Sequence, residues 1–301
     1  MALSNILTLV LLLVIGSILS LHFLSVRNIF NALRGASMVG IVSIGMTFVI
    51  LNRGIDLSVG SLVGIASVLM AGLMPYGIVG WAVLPIVASV ALGVVNGLLI
   101  TVARLQPFIA TLGMMIFARG AVYTYSDGSP ILAQNVPSVV SLLGSGYVGV
   151  VPVPVIVFLV CAVAGHVVLR QTIFGREVYA VGANEDAARL SGINTRLNQI
   201  KVYAVSGLLS GIGGVLLTAR LGVGDPNSGT MFELDAIAAC LIGGTSFDDG
   251  IGTVRGTVIG VLILAFLSNI LNLLGISPYS QMLLKKVIIV VAVIVSEIRK
   301  R

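Results

Sequence analysis

The sequence predicts an all-α polytopic membrane fold with about ten transmembrane helices, and three observations carry that prediction. Composition is the first: 57% of the residues are hydrophobic and 9% charged, with a mean hydropathy of +1.13, against roughly 25% charged in a soluble domain. A soluble chain of this length could not cover its surface with so few polar groups. Second, apolar runs of about 16–25 residues recur along the whole length, matching the roughly 20 residues a helix needs to cross hydrocarbon. Third, the runs are continuous and lack the in-out alternation of a transmembrane barrel.

In chain order, spans are expected over 5–25, 36–51, 55–74, 81–103, 108–125, 151–169, 202–219, 233–247, 254–273 and 281–298. The first has neither a basic leading segment nor a small-residue cleavage site, so it reads as a retained helix and not a signal peptide. The span 36–51 is short, and within 233–247 only Leu234 to Gly243 is truly apolar. Spans so short read as broken or re-entrant helices lining a cavity, where irregular backbone is tolerated. Residues 1–301 read as one transmembrane domain.

An even number of spans puts both termini on one side. That side collects Arg53, Arg104, Arg170, Arg176, Arg189, Arg196, Lys201, Arg255 and the terminal Arg299-Lys300-Arg301. Arg27, Arg34 and Arg220 fall opposite, and Arg119 has no firm side. The net charge of +6 is therefore a topology signal and not a nucleic-acid one. The positive-inside rule places both termini and the polar stretch 170–201 in the cytoplasm. The stretch 126–150, rich in Gly, Pro, Ser and Val with Asp127 as its one charge, then reads as an extracytoplasmic loop carrying a short surface helix.

A faint internal repeat is visible. The span 36–51 leads to Arg53, Asp56-Leu57, an apolar helix, then Gly93 and Gly97; the span 202–219 leads to Arg220, Glu233-Leu234-Asp235, an apolar run, then Gly256 and Gly260. A five-plus-five division has an odd number of spans per half, which makes the repeat inverted, a common build of transporters. The pairs Gly60/Gly64, Gly93/Gly97, Gly207/Gly211 and Gly256/Gly260 sit at the spacing that lets helices approach closely in lipid, so each reads first as packing.

What the chain lacks narrows its function. No G-x-x-x-x-G-K-[ST] occurs, and Lys285-Lys286 is its one Lys pair, so the chain by itself is no P-loop ATPase. His22 and His166 stand alone on apolar segments, and Cys161 and Cys240 sit singly inside apolar runs; no metal or cofactor site is expected. A membrane hydrolase would need a nucleophile beside a base, so an enzyme is the weakest reading. Ion-coupled carriers place titratable groups at mid-membrane, whereas the acids here cluster at expected span ends. Energy input is expected from outside the chain.

Polar residues at the membrane edge supply the pathway candidates. Asp56 opens a helix after Arg53-Gly54-Ile55, with Ser58 and Ser61 following. A carboxylate there is stabilised by the helix N-terminus; alternatively, Asp56 holds a gate or broken helix at the cytoplasmic end of a pathway. Glu233 and Asp235 pose the same choice on the other face. A lone buried carboxylate costs about 2.5–3.5 kcal/mol on insertion scales, so all three are expected near an interface or an aqueous cavity. Asn96, Asn269 and Asn272 are either interhelical glue or lining for a polyhydroxylated solute.

The cytoplasmic stretch contains one short helix. Asn184 is a good N-cap, Glu185 and Asp186 suit the first turn, Arg189 the last, and Gly192 the left-handed position after the end. Two turns are about 10 Å long and unstable alone in water, so this helix needs a groove to lie in. Ala187-Ala188 leave one side low, while Leu190 and Ile193 offer an apolar edge. An ordinary connecting loop with a helical turn is the competing reading.

Asp186-Ala187-Ala188-x-x-x-Gly192 resembles the E-A-A-x-x-x-G signature of ABC importer permeases, with Asp in place of Glu. Arg53-Gly54-Ile55-Asp56-Leu57-Ser58-Val59-Gly60-Ser61 resembles the G-G-I-D-L-S-V-G-S block of ribose-type monosaccharide permeases, with Arg53 for the first Gly. Glu233-Leu234-Asp235-Ala236-Ile237-Ala238-Ala239 with Gly243-Gly244-Thr245-Ser246 is similar to a further block, as is Pro107-Phe108-Ile109-Ala110-Thr111-Leu112-Gly113. Asp248-Asp249-Gly250 departs from the pattern. The resemblance implies an inner-membrane permease subunit for a monosaccharide, paired with a second permease chain. A cytoplasmic ATPase, carrying the ATP and Mg, would grip Asn184, Glu185, Asp186, Ala187, Ala188, Arg189, Gly192 and Ile193. A periplasmic or lipoprotein sugar-binding protein would deliver the solute. Asp56, Ser58, Ser61, Asn96, Glu233, Asp235 and Thr245 are then the pathway or gate candidates. The alternative is a stand-alone secondary carrier or channel for a small polar solute.

Overall fold

The computed structural model describes residues 2–247, 250–277, 279–284 and 287. The expected span over 281–298, Asp248-Asp249, Lys285-Lys286 and the terminal basic cluster lie wholly or mostly outside them. Helix α1 (Ala2–Leu19) precedes α2 (Val26–Leu51), whose N-terminus is capped by Ser25. The short span expected over 36–51 is the C-terminal part of this 26-residue helix. Its polar first turns lower the hydropathy, and two of their side chains make distant contacts, although Arg34 Nε and Nη2 are buried without a hydrogen bond. Asn28 and Asn269 exchange amide hydrogen bonds at 2.9 and 2.8 Å, and the Arg34 guanidinium lies 4.8 Å from the Tyr147 ring centroid.

A turn over 52–58 leads to α3 (Val59–Gly72), which starts four residues later than the apolar run implies because Asp56 belongs to the turn. A 3-10 turn and a π turn (Val79–Val83) enter α4 (Leu84–Thr101), followed by α5 (Pro107–Ser126). The stretch 126–150 carries β1 (Ile131–Leu132), α6 (Ser138–Ser145) and β2 (Tyr147–Val148). Strand β3 (Val151–Pro152) pairs antiparallel with β2 and opens α7 (Val153–Gln171). Then come α8 (Ile173–Ala183), α9 (Glu185–Leu190) and α10 (Thr195–Leu221). Strand β4 (Val223–Gly224) pairs antiparallel with β1, tying that stretch to the end of α10. Helices α11 (Phe232–Ile242) and α12 (Val254–Leu273) complete the described fold.

Among the described residues, six helical stretches are long and apolar enough to cross a membrane: Val26–Leu51, Val79–Thr101, Pro107–Ser126, Val153–Gln171, Thr195–Leu221 and Val254–Leu273. Ser4–Leu19 and Val59–Gly72 are shorter apolar helices. The 11 residues of α11 reach about 16 Å, well short of a ~30 Å hydrocarbon core. It is the short element that the interrupted apolar run predicts.

Helix α2 is buried over most of Ala36–Leu51 and packs against α10. Helices α3 and α4 pack on α10, while α11 and α12 pack on α2. The α4–α10 contact depends on glycine. A Cβ at Gly97 would lie 2.6 Å from Ile200 Cα, one at Gly93 would collide with the Tyr203 carbonyl, and one at Gly207 with the Ser89 carbonyl. Backbones this close gain dispersion contacts that leucines facing lipid would not add.

Candidate coupling helix and pathway cavities

Helix α9 forms where its capping residues predict. Asn184 Oδ1 accepts from the Ala187 N–H at 2.9 Å, and Glu185 pairs with Arg189 at 2.7 Å. At the other end Gly192 has φ +87°. Its N–H donates to the Arg189 carbonyl at 3.0 Å and that of Ile193 to the Ala188 carbonyl at 3.1 Å, the paired bonds of a Schellman motif. Ala188 is the face turned inward, buried to 4% exposure, whereas Leu190 is 90% exposed.

The sequence reading missed α8. Its signals were Thr172, which accepts from the Gly175 N–H at 3.1 Å, and the buried Val178 and Val181. Burial also pushes the Tyr179 hydroxyl up from the usual phenol range; it donates to the Gly252 carbonyl at 2.9 Å. Gly182 packs directly on the Leu51 carbonyl, and Arg53 Nη2 donates to the Ala183 carbonyl at 2.6 Å. The segment carrying α9 is thereby joined to the end of α2 and to the α11–α12 connection.

Asp56 corrects an expectation. It lines none of the cavities described below and is 0% exposed. Donors compensate for the lost water. Ser58 Oγ and Ser58 N–H donate to Oδ1 at 2.6 and 3.0 Å, and Ser206 Oγ donates to Oδ2 at 2.8 Å. Asn96 Nδ2 donates to Ser58 Oγ at 2.9 Å. The network joins the 52–58 turn to α4 and α10 and satisfies both oxygens of Asp56, while the buried Asn96 Oδ1 has no partner. Ser206, next to Gly207 of a packing pair, was the member that sequence reasoning did not find.

Ser61 and Glu233 meet instead at a cavity of about 550 Å³, with Arg119, Tyr123, Asn227 and Thr230. Arg119 Nη1 donates to the Pro226 carbonyl at 2.5 Å and the Ser228 carbonyl at 3.1 Å, and Tyr123 donates to Asn227 Oδ1 at 2.8 Å. These bonds hold the segment after β4 against α5. Asp235 faces a separate cavity of about 370 Å³ that includes Arg220, Asn31, Asn269 and Asn272. Thr245 stands apart, buried against Gly252 with its hydroxyl unpartnered. Among the described residues no cluster of His, Cys, Asp and Glu could hold a metal ion.

Bundled apolar helices of membrane-spanning length define a multi-span helical membrane protein. Residues 28–293 match the family described as branched-chain amino acid transport system / permease component, and the chain belongs to that family. It is similar to the ribose import permease protein RbsC of Haemophilus influenzae, with 44% identity over 95% of this chain and 90% of that protein. The same-named protein of Bacillus subtilis is 43% identical over 94% and 88%. The galactose/methyl galactoside import permease protein MglC of Escherichia coli is 37% identical over 92% and 88%. No solved structure matches the chain significantly.

Proposed function

We propose that the chain is the permease subunit of an ATP-driven ABC importer for a monosaccharide of the ribose, galactose or xylose type. The observation that carries this reading is near-full-length similarity to proteins named as ribose import permeases. The family description names branched-chain amino acids, but the sugar-permease relatives share more than a third of their residues with nearly the whole chain. The absence of a P-loop puts ATP and Mg on a partner ATPase. The capped α9, with Leu190 exposed, supplies an element for that ATPase to grip, and α8 links it to the spans. A second permease chain and a periplasmic or lipoprotein sugar-binding protein complete the assembly.

The reading places this chain in the inner membrane with both termini cytoplasmic. Asn5 shares a cavity with Arg170 and Arg255, which supports one side for the N-terminus and the basic residues. Arg34 and Arg220 gather with the 126–150 stretch, which supports the opposite side for that stretch. Reciprocal packing of α3 and α4 on α10, and of α11 and α12 on α2, supports the inverted repeat within about ten spans. The Ser61–Arg119–Glu233 cavity is assigned to the solute pathway, because its carboxylate, amide and hydroxyls complement sugar hydroxyls. Asp56, Ser58 and Asn96 are assigned to holding the turn beneath it.

Proteoliposomes containing the chain, its ATPase and its binding protein are expected to take up ribose, galactose or xylose in an ATP-dependent, vanadate-sensitive way. Uptake that persists without ATP and collapses with an uncoupler would instead establish a secondary carrier. Uptake of leucine with none of the sugars would overturn the substrate class.

A further inference from the structure

Four arginines from four separate segments converge on one cavity of about 600 Å³. Arg53 comes from the turn after α2, Arg104 from the α4–α5 connection, Arg189 from α9 and Arg196 from the first turn of α10. Glu185 is the single carboxylate of the lining, and Arg189 and Gln199 already engage it, at 2.7 and 3.4 Å. Arg53 places one nitrogen on the Ala183 carbonyl. The guanidinium groups of Arg104 and Arg196 have no hydrogen-bond or ion-pair partner among the described residues. The lining therefore carries a formal excess of three positive charges, from four arginines and one glutamate.

Membrane topology alone explains arginines at this face, but not their convergence. Basic residues that serve topology can spread into solvent, as Arg176 does outside the cavity. Backbone geometry adds a second observation. Arg53 and Arg104 both adopt left-handed conformations, with φ +57° and +58°, which glycine accepts freely and a side chain with a Cβ resists. Arg53 stands where the block it resembles carries Gly. Strained positions held by long cations call for a use.

We propose that this cavity binds a phosphoryl group, as the phosphate monoester of a small polar solute. Guanidinium groups match phosphate oxygens in charge and in fork geometry. The cavity volume lies within the range of small-ligand sites. Beside the arginines it is lined by Asn52 and Thr101. Their amide nitrogen and hydroxyl already donate to Asn198 Oδ1 and the Gly97 carbonyl at 2.9 and 2.7 Å, which leaves their oxygens to accept from a hydroxylated remainder. A ligand here draws α9 toward the turns after α2 and α4. It thereby restrains the element through which an ATPase would act, and it slows transport from the cytoplasmic side. The binding claim stands on this cavity alone, and only the inhibition rests on the importer reading.

The test uses the full-length chain in phosphatidylcholine nanodiscs, with ribose 5-phosphate, inorganic phosphate and ribose as probes in calorimetry. Ribose 5-phosphate is expected to bind one equivalent per chain, weakening with salt, while ribose does not bind at the same concentrations. The variant Arg104→Gly with Arg196→Gln keeps the left-handed turn without strain and is expected to weaken binding about tenfold or more. If both phosphates fail in phosphatidylcholine but phosphatidic acid in the nanodisc is retained, and the variant loses it, the phosphoryl group comes from a lipid headgroup. Phosphate probes and phosphatidic acid that bind parent and variant equally, or not at all, would overturn the site. So would a variant whose one defect is loss of the partner ATPase, since the arginines would then serve a protein contact. In the assembled transporter, inhibition by internal ribose 5-phosphate that the variant escapes is expected. Failure of sugar uptake in the parent would bear on the importer reading and not on the calorimetry.

Discussion

Ser206 Oγ donates a 2.8 Å hydrogen bond to Asp56 Oδ2 across 150 positions of sequence. The pair joins the turn between α2 and α3 to the middle of α10. Asp56 is wholly buried, so the carboxylate depends on its donors for the solvation it has lost.

Replacing Asp56 with Ala removes the acceptor for three hydrogen bonds, each worth about 0.5–1.5 kcal/mol. Thermal unfolding in detergent is expected well below the parent. Asp56→Asn retains one carbonyl oxygen, and the serine hydroxyls can rotate to accept, so it should fall between the two. An Ala variant as stable as the parent would mean the network does not hold the turn.

Gly192→Leu forces a β-carbon into a left-handed conformation at a strain of roughly 1–2 kcal/mol. The loss falls on the end of α9 and spares the bundle. The variant is expected to insert and fold normally, with uptake and solute-stimulated ATP hydrolysis reduced together. Normal copurification with the ATPase and normal stimulated hydrolysis would sink the coupling role of α9.

Leu190→Asp tests the same helix without touching its backbone. Leu190 is 90% exposed, so stability should change by no more than about 0.5 kcal/mol. Pull-down of the ATPase is expected to weaken. Unchanged capture would show that the apolar edge of α9 is not the gripped surface.

Gly97→Val tests packing. Its β-carbon would arrive 2.6 Å from Ile200 Cα, and overpacking of this kind costs about 1–3 kcal/mol or more. A lower melting temperature is expected, whereas Gly113→Ala, where a β-carbon meets nothing within 4 Å, should be neutral. Equal effects from both would contradict the close α4–α10 approach.

Arg119→Lys keeps the charge but ends in a shorter side chain, whose ammonium cannot occupy the place from which Arg119 Nη1 donates to both the Pro226 and Ser228 carbonyls. The segment holding Asn227 and Thr230 should loosen, raising KM for the sugar more than it lowers kcat. An unchanged KM would remove this cavity from the pathway.

Local chemistry made much of the fold legible in the sequence. Continuous apolar runs marked α4, α5, α7, α10 and α12, because a helix in hydrocarbon must be apolar over its whole length. Asn184 and Gly192 marked α9, because caps act on their own neighbours in the chain. The polar first half of α2 was not legible, since Asn28 and Arg34 are tolerated only through Asn269 and Tyr147, distant in sequence. Helix α8 was hidden for a similar reason, its apolar face being short and resting on Leu51.

The sequence by itself determined that this chain is a bundle of membrane helices with a short capped helix in its polar stretch. Composition, run length and capping are properties of neighbouring residues. Only the tertiary structure decided which polar groups share a site. It separated Asp56 from Glu233, brought Arg119 to Ser61, and gathered Arg53, Arg104, Arg189 and Arg196 around one cavity. Such meetings depend on how closely α2, α4 and α10 approach and at what register, and no local pattern encodes that.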